Sequence, residues 1–169
     1  MKRLVSLAAT ALLLSGCGSF QAFQPATPAD YTGETANVAD RVVAVSPQRL
    51  HVFEMTQVDG RRLASSSTAT TRAGEGGAMT VTPVPLTNEL PLRTARVRLQ
   101  AAVQYASPVL TMQNPHCRTV GDVDFTPVEG RRYAVTGRIG DDACEVWIED
   151  LATKEAVTDK LTGPGTKVQ

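Results

Sequence analysis

This 169-residue sequence predicts an all-β fold, an antiparallel β-sandwich or small barrel of about six to eight strands with little helix. Three observations lead there. Apolar residues recur at every second position in several segments, most clearly from Arg96 to Tyr105. Turn signals such as Asp59-Gly60 and Gly140-Asp141-Asp142 fall between such segments. No long segment carries apolar residues at i, i+3, i+4 and i+7 between a cap and a stop, which argues against a parallel sheet with crossover helices.

The chain opens with Lys2 and Arg3, runs apolar from Leu4 to Leu14 apart from Ser6 and Thr10, and reaches Cys17 through the small residues Ser15 and Gly16. Residues 1–16 therefore read as a secretory signal peptide. The apolar run is about half of the ~20 residues a membrane-spanning helix needs. The run-out Leu14-Ser15-Gly16-Cys17 resembles the lipobox of bacterial lipoproteins. That resemblance implies removal of the leader and acylation of Cys17, which would hold the chain on a membrane. Each buried CH2 contributes ~0.8 kcal/mol, so one acyl chain holds a protein marginally and several hold it firmly. Gly18 and Ser19 follow in place of the aspartate that tends to retain lipoproteins in the inner membrane. By the same resemblance the expected location is the bacterial envelope, lipid-anchored in the outer membrane and facing the periplasm. The alternative is an ordinary secretory leader, with Cys17 an incidental thiol.

Residues 17–40, with Pro25, Pro28 and Gly33 and no sustained period, read as the lipidated cysteine and a flexible tether. The β-sandwich domain is expected over 41–162. Within it, Leu50 to Val58 is rich in β-formers and turns at Asp59-Gly60 into Arg61 to Leu63, a hairpin. Residues 64–77, ASSSTATTRAGEGG, contain nothing that could bury an apolar face and are expected to form a mobile loop. Met79 and Val81 begin a strand that Pro83 and Pro85 confine to an edge. From Arg96 to Tyr105, Val97, Leu99, Ala101, Val103 and Tyr105 share one face, and Arg96, Arg98, Gln100, Ala102 and Gln104 the other.

The last third predicts a second hairpin. With Asp141 and Asp142 at the turn centre, Ile139 faces Cys144, Arg138 faces Glu145, Thr136 faces Trp147 and Val135 faces Ile148, so apolar meets apolar on one side and Arg meets Glu on the other. Leu151 to Leu161 fits either a short helix or a last strand, and 163–169 is expected to be a disordered tail. The Asp-Gly hairpin, together with the Gly130-x-x-Tyr133 strand followed by a cysteine-bearing strand, loosely resembles small proteobacterial β-sandwich lipoproteins of unknown function. The resemblance implies a fold and a location.

Composition narrows the functional classes. Cleavage after residue 16 leaves 169 − 16 = 153 residues, one domain. It removes two of the 17 basic residues, leaving 15 against 17 acidic ones, a formal net of −2. That balance disfavours nucleic acid or anionic lipid as the main partner, since both call for a clustered positive field. With Cys17 lipidated, Cys117 and Cys144 form an even pair in an oxidising compartment, for which a disulfide is the simplest reading. A zinc site using His116, Cys117 and Cys144 is the rival, though it lacks paired C-x-x-C spacing.

Catalytic constellations are not apparent. His51 reads as a strand surface residue and His116 as a loop residue after Asn114-Pro115, and neither Gly-x-Ser-x-Gly nor His-Glu-x-x-His occurs. Asp141, Asp142, Glu145, Glu149 and Asp150 could offer oxygen ligands to calcium but read better as a charge-paired sheet face. No cofactor or metal is expected. Alternation sends Trp147 outward among Arg138, Glu145 and Glu149, which makes these four residues the candidate partner contacts. The expectation is a non-enzymatic envelope lipoprotein with a binding or assembly role. Its partners would be the membrane, through the Cys17 lipid, and another envelope protein or a cell-wall component. The alternative is a periplasmic enzyme or small-ligand carrier.

Overall fold

The computed structural model describes residues 22–74, 79–140 and 142–166. The elements are β1 (Thr35–Ala39), β2 (Arg41–Ser46), β3 (Arg49–Val58), β4 (Arg61–Arg62), α1 (Ser66–Ala73), β5 (Thr87–Pro91), β6 (Ala95–Tyr105), α2 (Pro108–Gln113), β7 (His116–Phe125), β8 (Arg132–Ile139), β9 (Ala143–Asp150) and β10 (Leu161–Thr166). The fold is all-β, as the alternating segments predict. Ten strands among the described residues form one sheet in the order β2-β3-β6-β7-β10-β9-β8-β1-β5, with β4 added to β3. All described pairings are antiparallel except β1 with β8.

The sheet curls into a half-barrel. Strands β1 and β2 stand near opposite ends of its order, yet only Asp40 separates them in the chain. Arg41 ties the two walls together by donating to the Thr136 hydroxyl at 2.9 Å. The concave side is filled by alternate residues of each wall, Phe53, Met55, Val97, Leu99 and Ala101 from one and Val38, Val135, Val146 and Ile148 from the other. Their apolar surface drives the curl, since each fully buried side chain of this kind contributes ~1.5–3 kcal/mol.

Both predicted hairpins form, the late one in the predicted register. Gln57 pairs with Arg62 and Val58 with Arg61 around Asp59 and Gly60, whose φ angles of 49° and 78° are those of a tight turn that favours glycine at its second centre. In the late hairpin Ile139 pairs with Cys144, Arg138 with Glu145, Thr136 with Trp147 and Val135 with Ile148. Asp141 of its turn lies outside the described residues.

Four expectations are corrected. The segment read as a mobile loop over 64–77 contains α1, begun by Ser65, whose side chain accepts the Thr68 N–H. This helix attaches through hydroxyls instead of apolar contact, with Ser66 and Thr70 buried. Met79 and Val81 form no strand. The Val81 N–H meets the Pro47 carbonyl at 2.9 Å, and the edge strand is β5, whose Pro91 is tolerated because its outer side needs no donor.

The tether predicted through residue 40 ends earlier. Ala26 is buried, the Gln24 N–H donates to the Arg62 carbonyl, and Ala36 and Val38 alternate into the core from β1. Two inward residues are too few to register as a period. The tail predicted from Gly163 is paired as far as Thr166, because β10 wedges between β7 and β9. Gly163 is required there: an added Cβ would collide with the Thr119 hydroxyl.

Candidate functional site

Cys17 lies outside the described residues. Cys117 and Cys144 are joined as a disulfide, with Cα atoms 6.0 Å apart, and both are buried. The bridge clamps β7 to β9 across the narrow insertion of β10. His116 begins β7 and is exposed, so the loop assignment is corrected. His51 is half-buried on β3, and both histidines line a small cleft of about 80 Å³ beside the disulfide. Burial, together with the nearby Arg49 charge, lowers the His51 pKa. Among the described residues no group of three His, Cys, Asp or Glu side chains is placed to hold a metal ion.

The face of Trp147 is the predicted one, but the ring is not uncovered. Trp147 is only 8% exposed. Lys160 places its Nζ 4.5 Å from the ring centroid. Beside it the chain runs back along β9: the Val157 N–H donates to the Ile148 carbonyl, and the Ile148 N–H to the Thr158 hydroxyl. Alternation identifies a face and is blind to what a later segment lays over it. Arg138 is exposed, Glu145 and Glu149 are half-buried, and Lys154 pairs with Glu149 at 4.0 Å. With the ring covered, this quartet loses the feature that marked it as a contact.

A richer polar arrangement stands on the convex face of β3, β6 and β7, under the start of α1. Asp40 at the corner between β1 and β2 and Glu54 on β3 are both buried. Asp40 accepts the Met55 N–H at 2.9 Å and the Ser66 hydroxyl at 2.6 Å, and the Ser66 oxygen in turn accepts the Leu86 N–H at 2.9 Å. Burial raises the Asp40 pKa to about 7 against the two hydrogen bonds, with the neighbouring Glu54 charge adding to the rise. Glu54 accepts the Ser67 N–H at 2.8 Å, the Ser67 hydroxyl at 2.7 Å and the Gln100 amide at 3.0 Å. Two buried acidic side chains thus hold the first turn of a helix that has no apolar face to offer, and their hydrogen bonds offset part of the desolvation.

Beside this clamp lies a cleft of about 350 Å³ between the segment at Phe23, the β3–β4 hairpin and the convex face of β6 and β7. Arg62, Arg98 and Arg118 line it. Arg98 is committed to Asp122 by a two-pronged ion pair at 2.7 and 3.0 Å, which holds the Asp122 carboxyl below its ordinary pKa and raises that of Arg98. Arg118 donates to the Gln100 carbonyl oxygen at 3.1 Å, and Arg62 lies 5.0 Å from the centroid of the Phe23 ring.

Sequence reasoning placed Arg98 and Gln100 on the outward face of their strand but did not single out Arg62, Arg118, Asp40, Glu54 or Ser66. The available signal was Glu54 standing inside the most β-rich run of the chain, followed by a run of serines that could satisfy it. The fold and site define an all-β domain with a polar, arginine-bearing cleft. The chain matches no known family model, no curated protein and no solved structure.

Proposed function

We propose that the chain is a bacterial envelope lipoprotein, acylated on Cys17 and held in the outer membrane facing the periplasm, with a non-enzymatic binding or assembly role. One observation carries this reading. Of the three cysteines, Cys117 and Cys144 are spent on a buried disulfide, a bond characteristic of exported proteins. The third, Cys17, stands where the lipobox-like run Leu14-Ser15-Gly16-Cys17 puts an acylated residue.

The chain is tied to the domain at Gln24, whose N–H donates to the Arg62 carbonyl, seven residues beyond Cys17 (24 − 17 = 7). A chain reaches at most ~3.6 Å per residue, so the domain would ride within about 25 Å of the lipid. The β-domain then serves as a rigid carrier of surface groups close to the membrane, and the cleft of Arg62, Arg98 and Arg118 is its best candidate contact. Fractionation of cells carrying Cys17→Ala tests the anchor. The variant should leave the membrane fraction for the soluble one, whereas a variant that stays with membranes as fully as the parent overturns the proposal.

A further inference from the structure

The arginines of the cleft are not equally engaged. Arg98 is neutralised by Asp122, which also draws Arg96 to 3.6 Å, and Asp124 stands opposite Arg96 across β6 and β7. Glu54, the carboxylate in the cleft wall, is buried and already accepts three hydrogen bonds from Ser67 and Gln100. Arg62 and Arg118 have no carboxylate within 4.0 Å among the described residues, and both are exposed. Two cationic forks with unspent donors therefore line one small cleft, next to the hydroxyls of Ser65 and Ser67. A guanidinium fork matches the oxygens of a phosphate or carboxylate two at a time. The near-zero net charge of the chain does not weaken this, because the two residues come from separate strands and only the fold places both on one cleft.

The place of the cleft in the molecule selects among anions. Phe23 forms part of its wall, so the chain passes the cleft on its way from Cys17 into the sheet. We infer that Arg62 and Arg118 form an oxyanion site for the phosphate of an anionic phospholipid head group, drawn from the membrane surface in which the Cys17 lipid is set. The lipid source of the phosphate rests on the lipoprotein reading. A short tether makes the encounter intramolecular in effect, so a weak site would be occupied.

The test uses protein purified from envelopes in a neutral detergent, titrated separately with phosphatidylglycerol, phosphatidylcholine and inorganic phosphate and read by native mass spectrometry. Phosphatidylglycerol should bind the parent at least tenfold more tightly than phosphatidylcholine, whose choline competes for the phosphate. Arg62→Gln/Arg118→Gln should lose that binding at least tenfold while its melting temperature stays near the parent's. Arg72→Gln/Arg93→Gln, which removes two exposed arginines outside the cleft, should keep it.

Equal phosphatidylglycerol binding by the cleft variant and the parent overturns the site, as does equal loss in the control variant. Binding of inorganic phosphate that depends on the two arginines, without binding of phosphatidylglycerol, overturns the lipid source. The same spectra report acylation of Cys17, so the two readings fail separately. Acylated protein without lipid adducts sinks the oxyanion site alone, and unacylated protein with arginine-dependent adducts sinks the anchor alone.

Discussion

The Ser66 hydroxyl donates to Asp40 Oδ2 at 2.6 Å with both side chains buried, and this bond fastens α1 to the corner where the chain passes from one wall of the half-barrel to the other. Asp40 is held near a pKa of about 7 against an ordinary 3.8, chiefly by burial. The folded state therefore binds this proton more tightly than the unfolded chain does. Its stabilising effect is full below about pH 4 and is lost as pH rises toward about 7. At about 1.36 kcal/mol per unit, the full loss is on the order of 4 kcal/mol. Urea unfolding at pH 5 and pH 8 should show the parent losing stability across that interval relative to Asp40→Asn, which lacks this fall. Parallel pH profiles for the two proteins would contradict the assignment.

Ser66→Ala should cost about 1–3 kcal/mol, because it leaves the half-buried Leu86 N–H without its acceptor and takes one hydrogen bond from the buried Asp40 carboxyl. The measurement is the urea midpoint. A loss under about 0.5 kcal/mol, the size usual for exposed surface substitutions, would mean that the serine does not carry the helix.

Removing the disulfide should cost an amount that grows with the logarithm of the loop it closes. For a sequence separation of 27, the chain-entropy model gives ~3–4 kcal/mol for Cys117→Ala/Cys144→Ala. Alkylation of the unreduced folded protein should leave both cysteines unlabelled. Labelling of both would contradict the bridge.

Trp147 should fluoresce as a buried residue, with blue-shifted emission that iodide does not quench, since the ring is 8% exposed and Lys160 lies over it. Trp147→Ala should cost about 3–5 kcal/mol. Emission like that of indole in water, readily quenched, would restore the uncovered ring that alternation alone suggested.

Much of the sheet was legible in the sequence because its strands bury one face and solvate the other. From Ala95 to Ala101 the buried residues are Ala95, Val97, Leu99 and Ala101, as period two requires, and the late hairpin's register followed from pairing like with like. What escaped was structure without an apolar signature. α1 packs through the hydroxyls of Ser66 and Thr70, and β10 reads Leu-Thr-Gly-Pro-Gly-Thr, a strand made by its neighbours on both sides. The cleft escaped for a different reason. Arg62 and Arg118 are 56 positions apart (118 − 62 = 56), and nothing local in either stretch marks them as lining one cleft.

The location of the protein turns on Cys17, and metabolic labelling with a palmitate analogue addresses it directly. Cells expressing the parent should yield protein that carries the label and resists washing from membranes by salt and alkali, whereas Cys17→Ala should carry none. Parent protein that takes up no label and washes free would contradict the lipoprotein reading.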